Sequence, residues 1–282
     1  MAMKKAINDF FVMLKKNKQG TIGLILMLVI ILLGVLAPIV APYDPEMTNA
    51  AHARLGPSLA HLFGTDETGM DVFSRCIYAI RIDVVIGVCG TFVSLLIGIP
   101  IGLLAGYYEG LVGEVILRLA DLIQAFPAFI LAMALVAVLG NSTQNILMVV
   151  AFVNVPIYTR FVRGEVLAMK SRPFIEAAQA AGMSPLRIMF KELLPNSLRP
   201  ALVQASINIG GAILLTAGLS YIGAGVNVPT PEWGSMISIG APLILTGQWW
   251  AAFFPGVCIG VTVFGFALFG DFLRIYLNPE RR

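Results

Sequence analysis

Charge is what this sequence has least of. Only 12% of its 282 residues are Asp, Glu, Lys or Arg, about half the roughly 25% of a soluble domain. Lipid must therefore be its main solvent. Cysteine and histidine are scarce as well, with three and two copies. Cys76, Cys89 and Cys258 lie far apart with no C-x-x-C pattern, so they read as small residues in or near helices, not as a metal or redox centre. His52 and His61 share one loop and read as solvated side chains. No His/Cys/Asp cluster points to a metal-dependent enzyme. The phosphate-cradling pattern G-x-x-x-x-G-K-[ST] is missing, which excludes ATP binding by this chain through a P-loop. The ten-residue alternation of a membrane barrel is missing too. Finally, no acid falls at the centre of an apolar run: Asp83, Glu114, Asp121, Glu165 and Asp271 sit near predicted ends. A proton- or ion-coupled carrier ordinarily keeps such a group at mid-membrane.

What the chain has is long apolar runs, at 21–41, 82–106, 115–139, 146–168, 198–222 and 250–275. Each is long enough to cross a hydrocarbon core about 30 Å thick at 1.5 Å per residue. The first follows Lys4, Lys5, Lys15, Lys16 and Lys18, as a signal peptide would. It exceeds the roughly 7–15 apolar residues of a cleaved leader, and is read as a span. The backbone must satisfy its own hydrogen bonds in lipid, so the spans are predicted to be helices. Six of them put both termini on one side. Of the 19 basic residues, all but Arg54, Arg75 and Arg81 then fall on that side, which the positive-inside rule makes the cytoplasm. Segments 42–81, 140–145 and 223–249 are placed outside. The Pro- and Gly-broken stretch 42–81 is read as an exposed loop.

The predicted fold class is thus an all-α membrane protein with six transmembrane helices and both termini cytoplasmic. Residues 1–81 hold the first span and its external loop, 82–275 form the core with a cytoplasmic loop at 169–197, and 276–282 form a tail. Gly98, Gly102 and Gly106 share one helix face and allow close approach of another helix, within this subunit or from a neighbouring one. Asn154, Gln204, Ser206 and Asn208 are neutral polar residues inside spans, suited to helix–helix hydrogen bonds or to lining a pathway. Trp233, Trp249 and Trp250 fit an interfacial aromatic belt.

The cytoplasmic loop carries the most local information. Pro173 opens a helix that Gly182 ends in a left-handed conformation. Ser184-Pro185 starts a second short helix, 185–193, that Pro195 stops. The hairpin exposes Ala177, Ala178, Ala180 and Ala181 beside Glu176, a shape that suits docking into a groove of a soluble partner.

Glu176-Ala177-Ala178-x-x-x-Gly182 followed by Leu194-Pro195-Asn196 resembles the EAA loop of bacterial ABC importer permeases; Leu193 replaces the family's frequent isoleucine. The resemblance covers nearly the whole chain and is to the C-type permease of dipeptide/oligopeptide/nickel importers. It is carried by Gly64-Thr65-Asp66-x-x-Gly69-x-Asp71-Val72-Phe73-Ser74-Arg75, with Met70 where arginine is usual, and by Ala125-Phe126-Pro127 and Arg160-x-x-Arg163-Gly164. Leu219 to Gly225, Pro229 to Gly234, Phe254-Pro255-Gly256 and Gly270-Asp271-x-Leu273-Arg274 continue it, with Ala267 for a frequent asparagine. The resemblance implies a type I importer fold in a bacterial inner membrane, with no catalytic residue and no cofactor in this chain. It implies a second homologous permease, two ATPase subunits that bind ATP and Mg, an external substrate-binding protein, and no nucleic acid. Glu176, Ala177, Ala178, Gly182, Leu194 and Pro195 would form the ATPase-coupling loop. Peptides are the expected substrate class, with nickel or a nickel chelate and glutathione- or opine-like conjugates as alternatives. A secondary carrier or a membrane scaffold is the alternative of a different class.

Overall fold

A computed structural model of the chain describes residues 10 and 12–277. Lys4, Lys5, Arg281, Arg282 and most of the 276–282 tail lie outside the described residues. The described chain is nearly all helical. The principal helices are α1 (Lys18–Val35), α2 (Val72–Tyr107), α3 (Leu111–Gln124), α4 (Ala128–Leu139), α5 (Thr143–Lys170), α6 (Pro173–Ala180), α7 (Pro185–Tyr221), α8 (Trp233–Gly240) and α9 (Trp250–Leu277). Their starts are written in side chains that accept otherwise orphaned amides. Asn17 accepts the Gly20 N–H before α1, Asp71 the Ser74 N–H before α2, and Ser142 the Asn145 N–H before α5.

Five helices (α1, α2, α5, α7 and α9) are long and apolar enough to cross a membrane on their own. The run expected as a third span is broken: α3 and α4 meet at 83° around Ala125-Phe126-Pro127. Pro127 has no N–H to continue the helix and disfavours a helical residue before it. The packing of α2 on α5 shows that this bent pair still returns the chain across the bundle. Gly90 meets Val150, Gly98 meets Tyr158, Gly102 meets Val162 and Gly106 meets Val166. Residue numbers rise together along that seam, so α2 and α5 run parallel, and 108–142 must recross between them. Six crossings are preserved, the third in two pieces.

The same seam answers where the glycine stripe of α2 points. A Cβ on Gly102 would lie 2.6 Å from the Thr159 carbonyl oxygen and 2.8 Å from Val162 Cβ. The stripe therefore seats α5 of this same subunit. α1 and α9 run antiparallel, with Gly20 against Phe272 and Gly265 against Leu26. The start of α1 and the end of α9 thus lie at one end of the bundle. Lys170, at the end of α5, reaches the Tyr107 carbonyl oxygen at the end of α2.

Two boundaries differ from the sequence reading. The exposed loop expected over 42–81 ends at Asp71, and its last ten residues are the first turns of α2; the division drawn between 81 and 82 falls inside a helix. At 36 residues α2 is about 54 Å long, so it projects well beyond a hydrocarbon core. Arg75, placed in that loop, is buried and donates to the Pro45 and Pro229 carbonyl oxygens. Pro195 does not stop a helix either. α7 runs through it by widening to a π-helical turn over Met189–Leu193, with the Leu194 N–H bonded to the Met189 carbonyl oxygen. The five-residue step accommodates a residue that cannot donate.

Candidate functional site

The hairpin after α5 is built by two prolines and one glycine. Pro173 occupies the first turn of α6, where a missing N–H costs nothing. α6 then ends in a Schellman motif: the Gly182 N–H donates to Gln179 O at 2.9 Å and the Met183 N–H to Ala178 O at 3.1 Å. Gly182 takes φ +74°, as the motif requires, with open space where a Cβ would stand.

Inside and outside of the hairpin differ sharply. Ile175, Ala178, Ile188, Met189 and Leu193 are buried in one apolar cluster with Leu103 of α2 and Val162, Val166 and Met169 of α5. Glu176, Ala177, Ala180, Ala181 and Gly182 face out. Ala178 was expected on the outer face; it lies three residues after Ile175 and so falls on the same inward side of α6. Leu194 is partly buried against the cluster, and Pro195 is exposed. The outer face also presents Phe174, Leu186 and Phe190, all exposed. Sequence reasoning passed over these three, although aromatic and aliphatic residues flanking an alanine-rich turn were a readable sign of an apolar contact surface. Glu176 makes no ion pair among the described residues.

The root of the hairpin is tied to the neighbouring loop. Lys170 Nζ lies 2.8 Å from Glu109 Oε1 and 5.6 Å from the Tyr107 ring centre. The hydrogen bond and positive charge of Lys170 hold the Glu109 carboxyl below its ordinary 4.5. Arg160 of α5 and Asp121 of α3 form a second ion pair across the bundle.

A cavity of about 660 Å³ opens beside the hairpin, between α5, α7 and α9. Glu165, Arg172, Arg199, Gln204 and Arg274 line it, an excess of positive charge. Of the four polar residues singled out from the sequence, Gln204 reaches this wall. Gln204 Nε2 donates to Asn208 Oδ1 at 2.9 Å, and Asn208 neighbours the Tyr158 hydroxyl. Asn154 Nδ2 bonds Val150 O and Ser206 Oγ bonds Leu202 O, each four residues back on its own helix.

At the opposite end, the 64–75 signature folds into a polar knot. Asp66 Oδ1 accepts from Thr68 N, Thr68 Oγ1 and Met70 N. The Thr65 carbonyl oxygen accepts the Trp250 indole N–H at 3.0 Å. His61, expected in solvent, is buried: Nδ1 sits 2.9 Å from Asp71 Oδ1, Nε2 lies 3.2 Å from His52 Nδ1, and the ring stacks on Tyr43. Trp233 is likewise no interfacial anchor. It is buried, with its indole N–H on Cys76 O. Trp233 is covered by chain distant in sequence, whereas His61 is enclosed by the folding of its own loop.

Residues 98–282 match the family described as binding-protein-dependent transport system inner membrane component, and residues 7–57 match the N-terminal TM domain of oligopeptide transport permease C. The dipeptide transport system permease protein DppC of Alkalihalophilus pseudofirmus is 42% identical over 274 residues, covering 97% of this chain and 90% of that protein. The oligopeptide transport system permease protein OppC of Bacillus subtilis is 36% identical over 97% of this chain and 90% of its own. The glutathione transport system permease protein GsiD of Pectobacterium atrosepticum is 38% identical over 95% and 88%.

Proposed function

This chain belongs to the family of binding-protein-dependent transport system inner membrane components, and we propose that it forms half of the pathway by which an ATP-driven importer takes up short peptides. It is the multi-pass, non-catalytic permease subunit of such an importer. The peptide class is supported by similarity over nearly the whole chain to permeases named for dipeptides and oligopeptides; the nickel and glutathione alternatives are not favoured. The other components are a second homologous permease, two ATPase subunits that carry ATP and Mg, and an external substrate-binding protein. The end that holds the hairpin is cytoplasmic, as the basic residues there argue.

The observation that carries the mechanism is the two-faced hairpin. Its outer face, Glu176 and Ala177 beside Phe174, Leu186 and Phe190, is exposed and apolar enough to seat in a groove of an ATPase subunit. Its inner face is buried against α2, α5 and α7. Close-packed interiors transmit displacement instead of absorbing it. When ATP draws the two ATPase subunits together, a push on Glu176 and Ala177 passes through Ile175 and Ala178 to α5. The glycine seam makes α2 follow. Leu194 and Pro195 carry the same motion into α7, and the cavity lined by Gln204 changes its access. Asn154, Ser206 and Asn208 each bond a polar atom within their own helix, which suits stiff walls better than substrate contacts.

Uptake of labelled dipeptide, glutathione and nickel by cells with and without the gene tests this reading. Loss of dipeptide uptake is the expected result. Loss of nickel uptake with dipeptide uptake intact would overturn the substrate assignment.

A further inference from the structure

Two carboxyl groups are buried against each other at the end of the bundle away from the hairpin. Asp83, in the fourth turn of α2, and Glu232, the N-cap of α8, are both 0% exposed. The first turn of α8 donates to both. Asp83 Oδ2 accepts the Trp233 N–H at 3.1 Å, Glu232 Oε1 the Gly234 N–H at 2.8 Å, and Glu232 Oε2 the Ser235 N–H at 2.7 Å. The fourth oxygen, Asp83 Oδ1, is buried without a donor, and the two carboxyl side chains stand within hydrogen-bonding contact. Neither makes an ion pair among the described residues. From α9 the facing ionisable group is the Cys258 thiol. From α7, Ala217 packs under Gly234.

Two carboxylates cannot bond to one another, because each only accepts. Two like charges buried in contact, with no cation beside them, are strongly disfavoured. One negative charge is well served here, by amides at a helix N-terminus. A metal ion fits poorly: hard cations ask for about six oxygens, and three of these four already face amide hydrogens. A proton on Asp83 Oδ1 resolves every term. It supplies the missing donor, removes one charge and leaves the other on Glu232, whose two oxygens both accept from α8.

We infer that Asp83 and Glu232 hold one proton between them, carried on Asp83 Oδ1 and shared with Glu232, and that this proton fastens α8 to α2. The proton comes from water when α8 docks. The site is independent of what the transporter carries. α8 presses on α7 through Gly234 and on α9 through Gly240, which abuts Ala251, so the proton secures a contact among four helices.

Infrared difference spectroscopy on the full chain, assembled with its partners in lipid nanodiscs, tests this directly. Wild type minus Asp83→Asn should show the C=O stretch of a protonated carboxylic acid that shifts in D2O. The asparagine side chain keeps the shape and supplies an N–H to Glu232, so Asp83→Asn should melt close to wild type while Asp83→Ala melts clearly lower. A difference spectrum containing only carboxylate bands would overturn the proposal. So would an Asp83→Asn protein as unstable as Asp83→Ala.

Discussion

The Met183 amide donates to the Ala178 carbonyl oxygen across 3.1 Å, and that bond turns the chain back on itself at Gly182. Because Gly182 has φ +74° and free space around it, a substituent there meets only backbone strain, roughly 1–2 kcal/mol for a side-chain-bearing residue. Gly182→Val should distort the turn and cut uptake roughly tenfold, the equivalent of about 1.4 kcal/mol, while ATP hydrolysis continues. Gly182→Asn, which tolerates this conformation, should keep most uptake. Paired measurements of hydrolysis and transport in proteoliposomes check both.

The α2–α5 seam makes a stability prediction. A Cβ at Gly102 would stand 2.6 Å from the Thr159 carbonyl oxygen. Gly102→Val should force the helices apart, at about 1–3 kcal/mol for overpacking. Gly260 has nothing within 4 Å of the corresponding position, and Gly260→Ala should leave the melting temperature of the purified chain unchanged or slightly raised. Thermal unfolding in detergent separates the two.

Asp71 does two jobs with one carboxylate: it caps α2 at Ser74 N, 2.7 Å, and accepts from His61 at 2.9 Å. Asp71→Ala should cost about 1–3 kcal/mol and loosen the knot at the end opposite the hairpin, whereas His52→Ala, on the half-exposed side, should cost less. Proteolysis of the 42–71 segment in the intact chain reports the loosening.

Glu109 provides a pH test. Its carboxyl is held below the ordinary 4.5 by Lys170, so the pair contributes fully above that value. The contribution fades as pH falls through the lowered folded value. Glu109 is fully exposed and the effect on stability is correspondingly small. Lys170→Gln should return the Glu109 titration toward 4.5, as read by carbon NMR of labelled glutamate.

Much of this was legible in the sequence, because bilayer thickness and hydrogen-bond satisfaction leave few choices for a long apolar run. The crossings, the hairpin and the left-handed Gly182 follow from local chemistry. The 83° break at Pro127 falls where a helix carrying Glu114, Arg118 and Asp121 gives way to a wholly apolar one, inside a stretch that length alone presents as a single span. Arg75 and Trp233 were misjudged because each is buried by chain far away in sequence, Arg75 by the Pro229 carbonyl and Trp233 by Cys76, and His61 because its own loop folds back on it through Asp71 and His52. Asp83 lies toward one end of its span, as expected, but its partner Glu232 comes from the segment between α7 and α9.

The proposed contact between the hairpin and an ATPase subunit on the cytoplasmic side can be trapped chemically. Ala177→Cys, on the outer face of α6, provides the test in the assembled transporter once the exposed native Cys89 and the half-buried Cys258 are replaced by serine; Cys76 is buried. Oxidation against cysteines placed in the groove of the ATPase subunit should yield a cross-linked product that reduction removes. Ala51→Cys, at the opposite end of the bundle, should yield none. No cross-link from Ala177→Cys in a complex that hydrolyses ATP, or a cross-link from Ala51→Cys instead, would contradict the account.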